Sequence, residues 1–320
     1  MTEAGIRAAL EAGAAGVIAK SVNERPEAAA QLDLADYVTL DIGGGRSLFN
    51  RSGLISRETG EWFRAIAAID QQAAGTGRFV AASIVLAGAE GAVTIAAMAR
   101  EAGLRVLELN VGAPHASEAT PGAISQETDP ARLRDLVARV RRETAGMALW
   151  VKLTGLSSNL PALAVAARDG GADAVCMMGR FMAMIPDLET FEPILGTSAA
   201  YGGGWALPIV CRFLALSRRA VGPAFPLLGT NGVRSGEDVA RMALAGASAI
   251  EALSIVMHEG FGGISRMIGE LDAFLTAREL DFTALIGRSA DQLEGYGAQR
   301  SVPGRWRDCV PPETLEQASS

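Results

Sequence analysis

Residues 105–111 read RVLELNV and residues 148–153 read ALWVKL, and these two stretches decide the fold class. Each is short and rich in Leu and Val, and each has a polar residue near its end, Asn110 in the first and Lys152 in the second. Short continuous apolar runs are typical of strands that are buried on both faces of a parallel sheet. Between them, Asp129 and Pro130 have the residue types of a helix N-cap and first turn. The order strand, helix, strand predicts a parallel α/β unit.

The same alternation extends along most of the chain in both directions. Further apolar runs predict strands at residues 16–20, 79–85, 174–178, 225–229 and 249–256. Alanine-rich or amphipathic segments predict helices at residues 2–12, 93–102, 129–142, 160–168, 207–220, 235–245 and 263–278. Repeated strand–helix units with short loops predict an α/β protein with a TIM (β/α)8 barrel.

An eight-stranded barrel needs one more strand than the seven that the sequence predicts. Because the chain opens directly in a helical segment, the missing strand is the first. Three sources are open: a start farther upstream, the loop at residues 36–42, or a partner chain. The predicted organisation is a barrel over residues 1–286 and an irregular, proline-containing C-terminal extension over residues 287–320.

Composition excludes several classes of protein. Apolar residues make up 49% of the 320 residues and charged ones 20%, which is enough to bury a full core and excludes a disordered chain. The net charge is −7 with no basic run, so the sequence predicts neither a nucleic-acid partner nor a membrane partner. The amino terminus lacks the pattern of a secretory signal, and three distant cysteines suit a reducing cytoplasm. Two histidines make a Cys/His zinc site improbable, and no metal is predicted.

Polar residues follow the predicted strands at their carboxyl ends, where the active site of a barrel lies. These positions hold Lys20, Ser21, Asn110, Lys152, Gly179, Arg180, Gly229 to Gly232, and Ser254. Glycine-rich turns let a phosphate approach backbone N–H groups, and a phosphate site after the last two strands is frequent in barrels. The sequence therefore predicts a phosphate-bearing ligand at this end.

A series of short motifs resembles the dihydroorotate dehydrogenase family, and its pyrimidine-dehydrogenase branch in particular. The motifs are EAGAAGVIAKS (11–21), NRSG (50–53), ELNVGAPH (108–115), VKLT (151–154), DGGADAV (169–175), YGG (201–203), GTNGV (229–233) and GAS (246–248). Their order and spacing carry the resemblance, which covers most of the chain. Proteins of this family are FMN-containing barrels.

The resemblance implies FMN as the cofactor and assigns it contacts. Lys152 would lie beside the N1/C2 edge of the flavin, where a fixed cation favours hydride acceptance. Lys20 and Ser21 would approach the ring, and Asn50 and Asn110 would bind amide edges of flavin or substrate. The phosphate and ribityl chain would be held by Gly203, Gly229, Asn231, Gly232 and Ser254.

Two positions depart from the family where a proton must move. Its base positions are occupied by Ala113 and Gln126, and neither side chain can transfer a proton. Ser125 is the predicted substitute base, and Lys20 and His115 are the other predicted catalytic residues. His115 is open to two roles, acid–base or substrate contact on one side and a loop-anchoring donor on the other.

The remaining polar residues also have alternatives. Arg180 could bind a substrate carboxylate or pair with a loop acid such as Glu118. Lys20 could form an ion pair, and Asn110 could cap a turn. The predicted substrate-binding set is Asn50, Asn110, His115 and Arg180.

These features predict an FMN-dependent oxidoreductase that transfers hydride between flavin and a C–C bond of a small cyclic amide or carboxylate substrate. Because the base positions are altered, dihydroorotate itself is predicted to be a poor substrate. A homodimer is expected by analogy with the class. Two alternatives stay open: a catalytically altered flavoprotein subunit that acts with a partner, and a flavin-free, phosphate-binding barrel lyase or synthase.

Overall fold

The computed structural model describes residues 1–32, 36–41, 45–51, 53–114 and 116–298. Its strands are β1 (Gly16–Ile18), β2 (Tyr37–Asp41), β3 (Arg46–Asn50), β4 (Phe79–Val85), β5 (Val106–Asn110), β6 (Ala148–Lys152), β7 (Ala174–Met177), β8 (Phe181–Ala183), β9 (Ala199–Gly203), β10 (Leu227–Thr230) and β11 (Ala249–Glu251). Its α-helices are α1 (Glu3–Glu11), α2 (Pro26–Leu32), α3 (Thr59–Ala74), α4 (Ala89–Glu101), α5 (Pro130–Glu143), α6 (Leu160–Asp169), α7 (Leu207–Val221), α8 (Gly236–Leu244), α9 (Ser254–Glu259) and α10 (Gly262–Thr276).

Seven strands form one parallel sheet in the order β1-β4-β5-β6-β7-β10-β11. The register places Asn110 of β5 beside Lys152 of β6, and Lys152 beside Cys176 of β7. The sheet is a curled half-barrel wrapped by helices, which confirms the α/β class and the seven predicted strands. Within the described residues, no strand joins β1 to β11.

A second, antiparallel sheet has the order β2-β3-β9-β8. Its strands follow β1 and β7 in the chain, so they belong to the connections at the carboxyl ends of the parallel strands. The structure corrects one of the three sources considered for the missing barrel strand, because residues 37–41 pair antiparallel with β3. The side chains of β2 alternate between exposed and half-buried, as in a ribbon with one covered face, whereas a barrel strand is covered on both faces.

Other segments also differ from the sequence prediction, among them the unpredicted helix α2 and the two segments that follow. Helix α3 was not predicted, although Trp62, Phe63 and Ile66 bury one of its faces and Glu58 caps it. The predicted strand at residues 249–256 ends at Glu251, and its second half forms α9. A continuous apolar run does not distinguish strand from helix by periodicity, which explains that error.

Capping residues precede α5 and α8, and the sequence predicted where both helices begin. The Asp129 side chain accepts a hydrogen bond from the Arg132 N–H at 2.9 Å and begins α5, as predicted. Ser235 caps α8 in the same way.

Residues 287–298 of the predicted extension dock onto α7 and α8. The Gly287 N–H donates to the Ala243 carbonyl at 2.8 Å. Arg218 forms a bidentate ion pair with Asp291, with N–O distances of 2.8 and 3.0 Å. The boundary at residue 286 stays a prediction, and residues 299–320 lie outside the described part. Among the described helices, none is both long and apolar enough to cross a bilayer.

Candidate active site

Lys152 ends β6 inside the barrel, and its ammonium is held by two carboxylates. The Nζ atom lies 2.5 Å from Glu251 Oε2 and 3.5 Å from Glu108 Oε2. The Lys152 side chain is 18% exposed, Glu108 3% and Glu251 15%. An unpaired buried ammonium would be costly, and these carboxylates provide the compensating charge. The sequence predicts that Lys152 contacts the edge of a flavin. The structure shows in addition that two carboxylates of the protein lie beside its ammonium.

Two hydroxyl groups continue the hydrogen bonds from Glu108 toward β1. Ser83 Oγ on β4 donates to Glu108 Oε1 at 3.0 Å, and the Ser83 and Ser21 hydroxyl oxygens lie 2.9 Å apart. Polar contacts therefore cross the barrel from the end of β1 to β11.

We define the barrel cluster as Glu108, Lys152, Cys176 and Glu251. Burial raises the pKa of Glu108 to about 7, against the opposing effect of Lys152. Burial alone would lower the pKa of Lys152, but Glu108 and Glu251 outweigh it and raise that pKa well above its ordinary value. Burial also raises the pKa of Glu251, but Lys152 outweighs it and lowers that pKa. Lys152 and Glu251 are thus the charged pair, and Glu108 is the group that titrates near neutrality.

The barrel cluster contains the donor types of a metal site. Ligand atoms of Glu108, Cys176 and Glu251 all lie within 4.8 Å of one another. The Lys152 ammonium already supplies a positive charge to both carboxylates, and burial raises the pKa of the Cys176 thiol well above its ordinary value. A cation would have to displace the ammonium, so we assign no metal here.

A second polar group forms at the end of β3. Arg180 donates to Asn50 Oδ1, and Asn50 is 1% exposed. The Asn50 Nδ2 donor has no hydrogen-bond partner among the described residues. Burial and the nearby Arg180 lower the pKa of Lys20 to about 8. In the part of the chain that the structure describes, no carboxylate lies within 4 Å of the Lys20 ammonium, so the ion pair considered for Lys20 is not found.

The predicted cofactor glycines have packing roles. A Cβ at Gly203 would lie 2.6 Å from Ser47 Oγ, and one at Gly229 would lie 2.7 Å from Met242 Sδ. Gly232 has a φ of +96°, where side chains are rarely tolerated, and it packs against the backbone of Leu207. These contacts explain the three glycines without a ligand, so their phosphate role stays a prediction.

Asn231 and Ser254 lie at the same end of the sheet as those glycines. Asn231 has a φ of +77°, and its Nδ2 atom is buried with no partner among the described residues. Ser254 begins α9 after β11. Asn110 caps its own turn, since its Oδ1 accepts the Gly112 N–H at 3.0 Å. The turn-capping role considered for Asn110 is therefore seen in the structure, and its role in ligand binding stays a prediction.

Ser125, the predicted base, is hydrogen-bonded to the backbone of a neighbouring segment. Its hydroxyl donates to the Ala87 carbonyl at 2.8 Å, and its N–H donates to the Leu86 carbonyl at 2.7 Å. Ser125 thus anchors its loop to the segment after β4, and a hydroxyl that is bonded to a carbonyl has no base beside it to activate it. The role of Ser125 as the base stays a prediction. His115, the other predicted acid–base residue, lies outside the described residues.

Substitution of Ser125 by alanine distinguishes the role of loop anchor from the role of base. We expect the free energy of unfolding to fall by about 1 kcal/mol, the typical net value of one hydrogen bond. The rate of substrate-dependent flavin reduction should stay within about twofold of wild type, because no reacting group is lost. Urea denaturation and anaerobic stopped-flow absorbance measure the two quantities. A rate loss of a hundredfold in a folded variant would contradict a purely anchoring role and support Ser125 as the base.

Sequence reasoning missed Glu108 and Glu251 as site residues. Glu108 lies within the ELN motif, and the motif drew attention to its asparagine alone. Glu251 is a charged residue at the end of a short strand, β11, and two strands lie between β11 and the strand that ends in Lys152. A carboxylate in such a position is rarely buried without a partner, and that signal was available in the sequence.

A known protein family matches most of the chain. The family model for dihydroorotate dehydrogenase matches residues 12–275, which include β1 to β11. The chain belongs to the dihydroorotate dehydrogenase family. This confirms the resemblance that the sequence motifs indicated.

Individual relatives of the dihydroorotate dehydrogenase family match part of the chain. Dihydroorotate dehydrogenase A (fumarate) of Limosilactobacillus reuteri (strain DSM 20016) is 31% identical over 166 residues, which is 52% of this chain and 52% of the relative. The catalytic subunit of dihydroorotate dehydrogenase B (NAD(+)) of Carboxydothermus hydrogenoformans is 33% identical over 182 residues, 57% of each chain. The corresponding subunit of Bacillus mycoides is 31% identical over 173 residues, 53% of this chain and 54% of the relative. These alignments span about half the length of the curated relatives.

Members of the dihydroorotate dehydrogenase family typically bind FMN, and the unpaired polar atoms fit such a ligand. Asn50 Nδ2 and Asn231 Nδ2 are buried donors without a hydrogen-bond partner among the described residues. Glu251 Oε1 is a buried acceptor that also has no hydrogen-bond partner among them. Buried polar groups are normally hydrogen-bonded, so such orphans mark a place where a polar ligand binds. A flavin nucleotide offers both acceptors and donors to this set.

Proposed function

We propose that this chain is an FMN-dependent oxidoreductase that transfers hydride between the flavin and a C–C bond of a small substrate bearing a carboxylate or a cyclic amide. One observation carries the proposal. Lys20, Arg180 and the Nδ2 group of Asn50, which has no partner among the described residues, together present two cations and a buried donor at the carboxyl end of the barrel. This arrangement supports recognition of an anionic substrate beside the cofactor expected for the family.

The chain's own residues have separable roles in this proposal. Asn231, Gly232 and Ser254 would hold the phosphate and ribityl chain, and Asn50 and Asn110 would bind amide edges. When bound, FMN supplies the two-electron hydride chemistry that no side chain can provide. Lys152, held by its carboxylates, would present a fixed charge to the cofactor.

Lys20 and Arg180 favour a negatively charged substrate. Lys20 and Arg180 are both at least half-buried, and Arg180 disfavours the charge on Lys20. A carboxylate between them would relieve that repulsion, and a guanidinium can bind it through two parallel hydrogen bonds. The substrate side therefore favours a carboxylate over a neutral ligand.

Dihydroorotate itself is expected to be a poor substrate. Ala113 is buried and has no proton to transfer. Gln126 Oε1 accepts a hydrogen bond from Thr154 Oγ1 at 3.2 Å, so the second base position is filled by a fixed amide. Robust formation of orotate by the chain alone would contradict this part of the proposal.

Arg180 gives the proposal a direct test. We expect Arg180→Gln to weaken the binding of small carboxylates about tenfold or more, because a charge-assisted hydrogen bond contributes about 1.5–3 kcal/mol. Binding is measured as a perturbation of the flavin absorbance, and anaerobic bleaching of that absorbance with a panel of saturated carboxylates and cyclic amides identifies the hydride donor. Exposed Arg142→Gln on α5 is the matched control and should bind as wild type does. Equal binding by wild type and Arg180→Gln would contradict the proposed anion site.

A second candidate function is a flavoprotein subunit that acts with a partner, in place of the expected homodimer. The alanine and glutamine at the two base positions favour it, because a partner could supply the proton donor. Light scattering of the purified chain measures its assembly. Turnover that appears only when a co-purified, unrelated chain is present would support the subunit over the self-sufficient enzyme.

A further inference from the structure

The barrel cluster has one more acidic group than it has basic groups. Glu108 is faced by Lys152 from β6, Glu251 from β11, Cys176 from β7 and the Ser83 hydroxyl from β4. With both carboxylates ionised the cluster carries a net charge of −1, and with one of them protonated it is neutral. The ammonium is closer to Glu251, at 2.5 Å, than to Glu108, at 3.5 Å. The excess charge therefore resides on Glu108.

We propose that Glu108 is a proton-accepting site that binds one proton from water when the mouth of the barrel gains one unit of negative charge. With FMN bound, this uptake accompanies reduction of the cofactor; this part rests on the proposed function.

Hydride delivery and proton uptake by Glu108 together conserve charge. A hydride delivered to FMN carries two electrons and one proton, and it makes the cofactor one unit more negative. Glu108 takes one proton from water and becomes neutral, so the total charge of cofactor and cluster is unchanged. Substrate supplies the hydride and solvent supplies the proton.

Two properties of Glu108 support the proposal. Burial raises the pKa of Glu108 to about 7, so a modest change in local charge changes its protonation at neutral pH. An added negative charge nearby raises the pKa of a carboxyl further. Glu108 is also one of the few acidic groups that the structure buries almost completely, at 2% exposure, so its charge is little screened by solvent.

A route for the proton leads through hydroxyl groups. Ser83 Oγ donates to Glu108 Oε1, and Ser21 Oγ lies 2.9 Å from Ser83 Oγ. Ser21 is half-buried at the end of β1, whereas Ser83 is 1% exposed. A hydroxyl can accept one proton while it donates another, so the pair can connect Glu108 with the mouth.

The number of protons bound per two electrons tests the proposal on FMN-loaded protein. It is obtained from the dependence of the flavin midpoint potential on pH, measured by spectroelectrochemistry between pH 7.5 and 8.5. We expect wild type to bind one more proton per two electrons than Glu108→Gln, because glutamine cannot titrate. Equal numbers in the two proteins would overturn the proposal, including the case in which the flavin itself takes the proton.

Infrared spectroscopy tests the same site without the cofactor. The difference spectrum between pH 6 and pH 8.5 should contain a carboxylic acid band that is absent from Glu108→Gln. If the band titrates and FMN does not bind, the proton site stands and the proposed function fails; if the band is absent, the proton site fails.

Two milder variants keep the test decisive if Glu108→Gln does not fold. Ser83→Ala removes a donor to the carboxylate and should move the titration midpoint of the band upward. Glu251→Gln removes a neighbouring negative charge and should move it downward. Unchanged midpoints in both variants would overturn the assignment to Glu108.

Discussion

Replacement of Lys152 by methionine should lower the free energy of unfolding by about 3–5 kcal/mol, the usual cost of removing one partner from a buried ion pair. Methionine is similar in length to lysine but leaves Glu108 and Glu251 facing each other with no cation between them. The loss is measured by urea denaturation at pH 7, with the slope m compared to confirm that both proteins unfold in the same way.

The same substitution at Lys20 is the matched control. Lys20 has no carboxylate within 4 Å among the described residues and lies near Arg180. Lys20→Met removes a repulsive charge and should leave the stability unchanged or raised. The double variant Lys152→Met/Glu251→Gln should recover part of the loss, since it removes one of the stranded carboxylates. A loss below about 1 kcal/mol for Lys152→Met would show that the pair is not formed.

Glu108 should make the protein less stable as the pH rises from about 5 to about 7. Its pKa is about 7 in the folded protein because of burial, above the ordinary value of 4.5, so the folded state holds a proton that the unfolded state has lost. The stabilisation from this proton is fully present below the unfolded pKa and disappears as pH rises through the folded pKa. One proton corresponds to a slope of at most about 1.4 kcal/mol per pH unit.

Glu108→Gln should remove this slope, and Glu118→Gln should retain it. Glu118 is exposed, so its substitution controls for the change from carboxylate to amide. Urea midpoints at half-unit pH intervals from 5 to 7.5 measure both variants and wild type. A wild-type stability that rises with pH across this interval, with the same rise in Glu108→Gln, would contradict a proton held by Glu108.

The barrel was predictable because its strands are buried on both faces and leave continuous apolar runs. The run at 79–85 gave its strand without error, and Asp129 with Pro130 gave the start of α5. The antiparallel sheet was missed for the converse reason. β2 has only half-buried and exposed residues, and β9 contains two glycines, so neither has the apolar pattern of a strand.

The site was predictable in position and less so in chemistry. The carboxyl ends of the predicted strands gave the correct end of the barrel for Lys20, Asn110 and Lys152. It could not show that Lys152 is paired, because its partners come from β5 and β11, and β11 is 99 residues away in sequence. The contact depends on the curvature of the sheet, which brings β11 across from β6, and no local pattern encodes that distance.

The binding of FMN to the purified chain tests the central claim most directly. Titration of the chain with FMN, followed by quenching of flavin fluorescence, should give one tightly bound FMN per chain and a shifted visible absorbance spectrum. Asn231→Ala, which removes a buried donor that has no partner among the described residues, should weaken that binding. A chain that folds and leaves the fluorescence and the spectrum of added FMN unchanged would contradict the account.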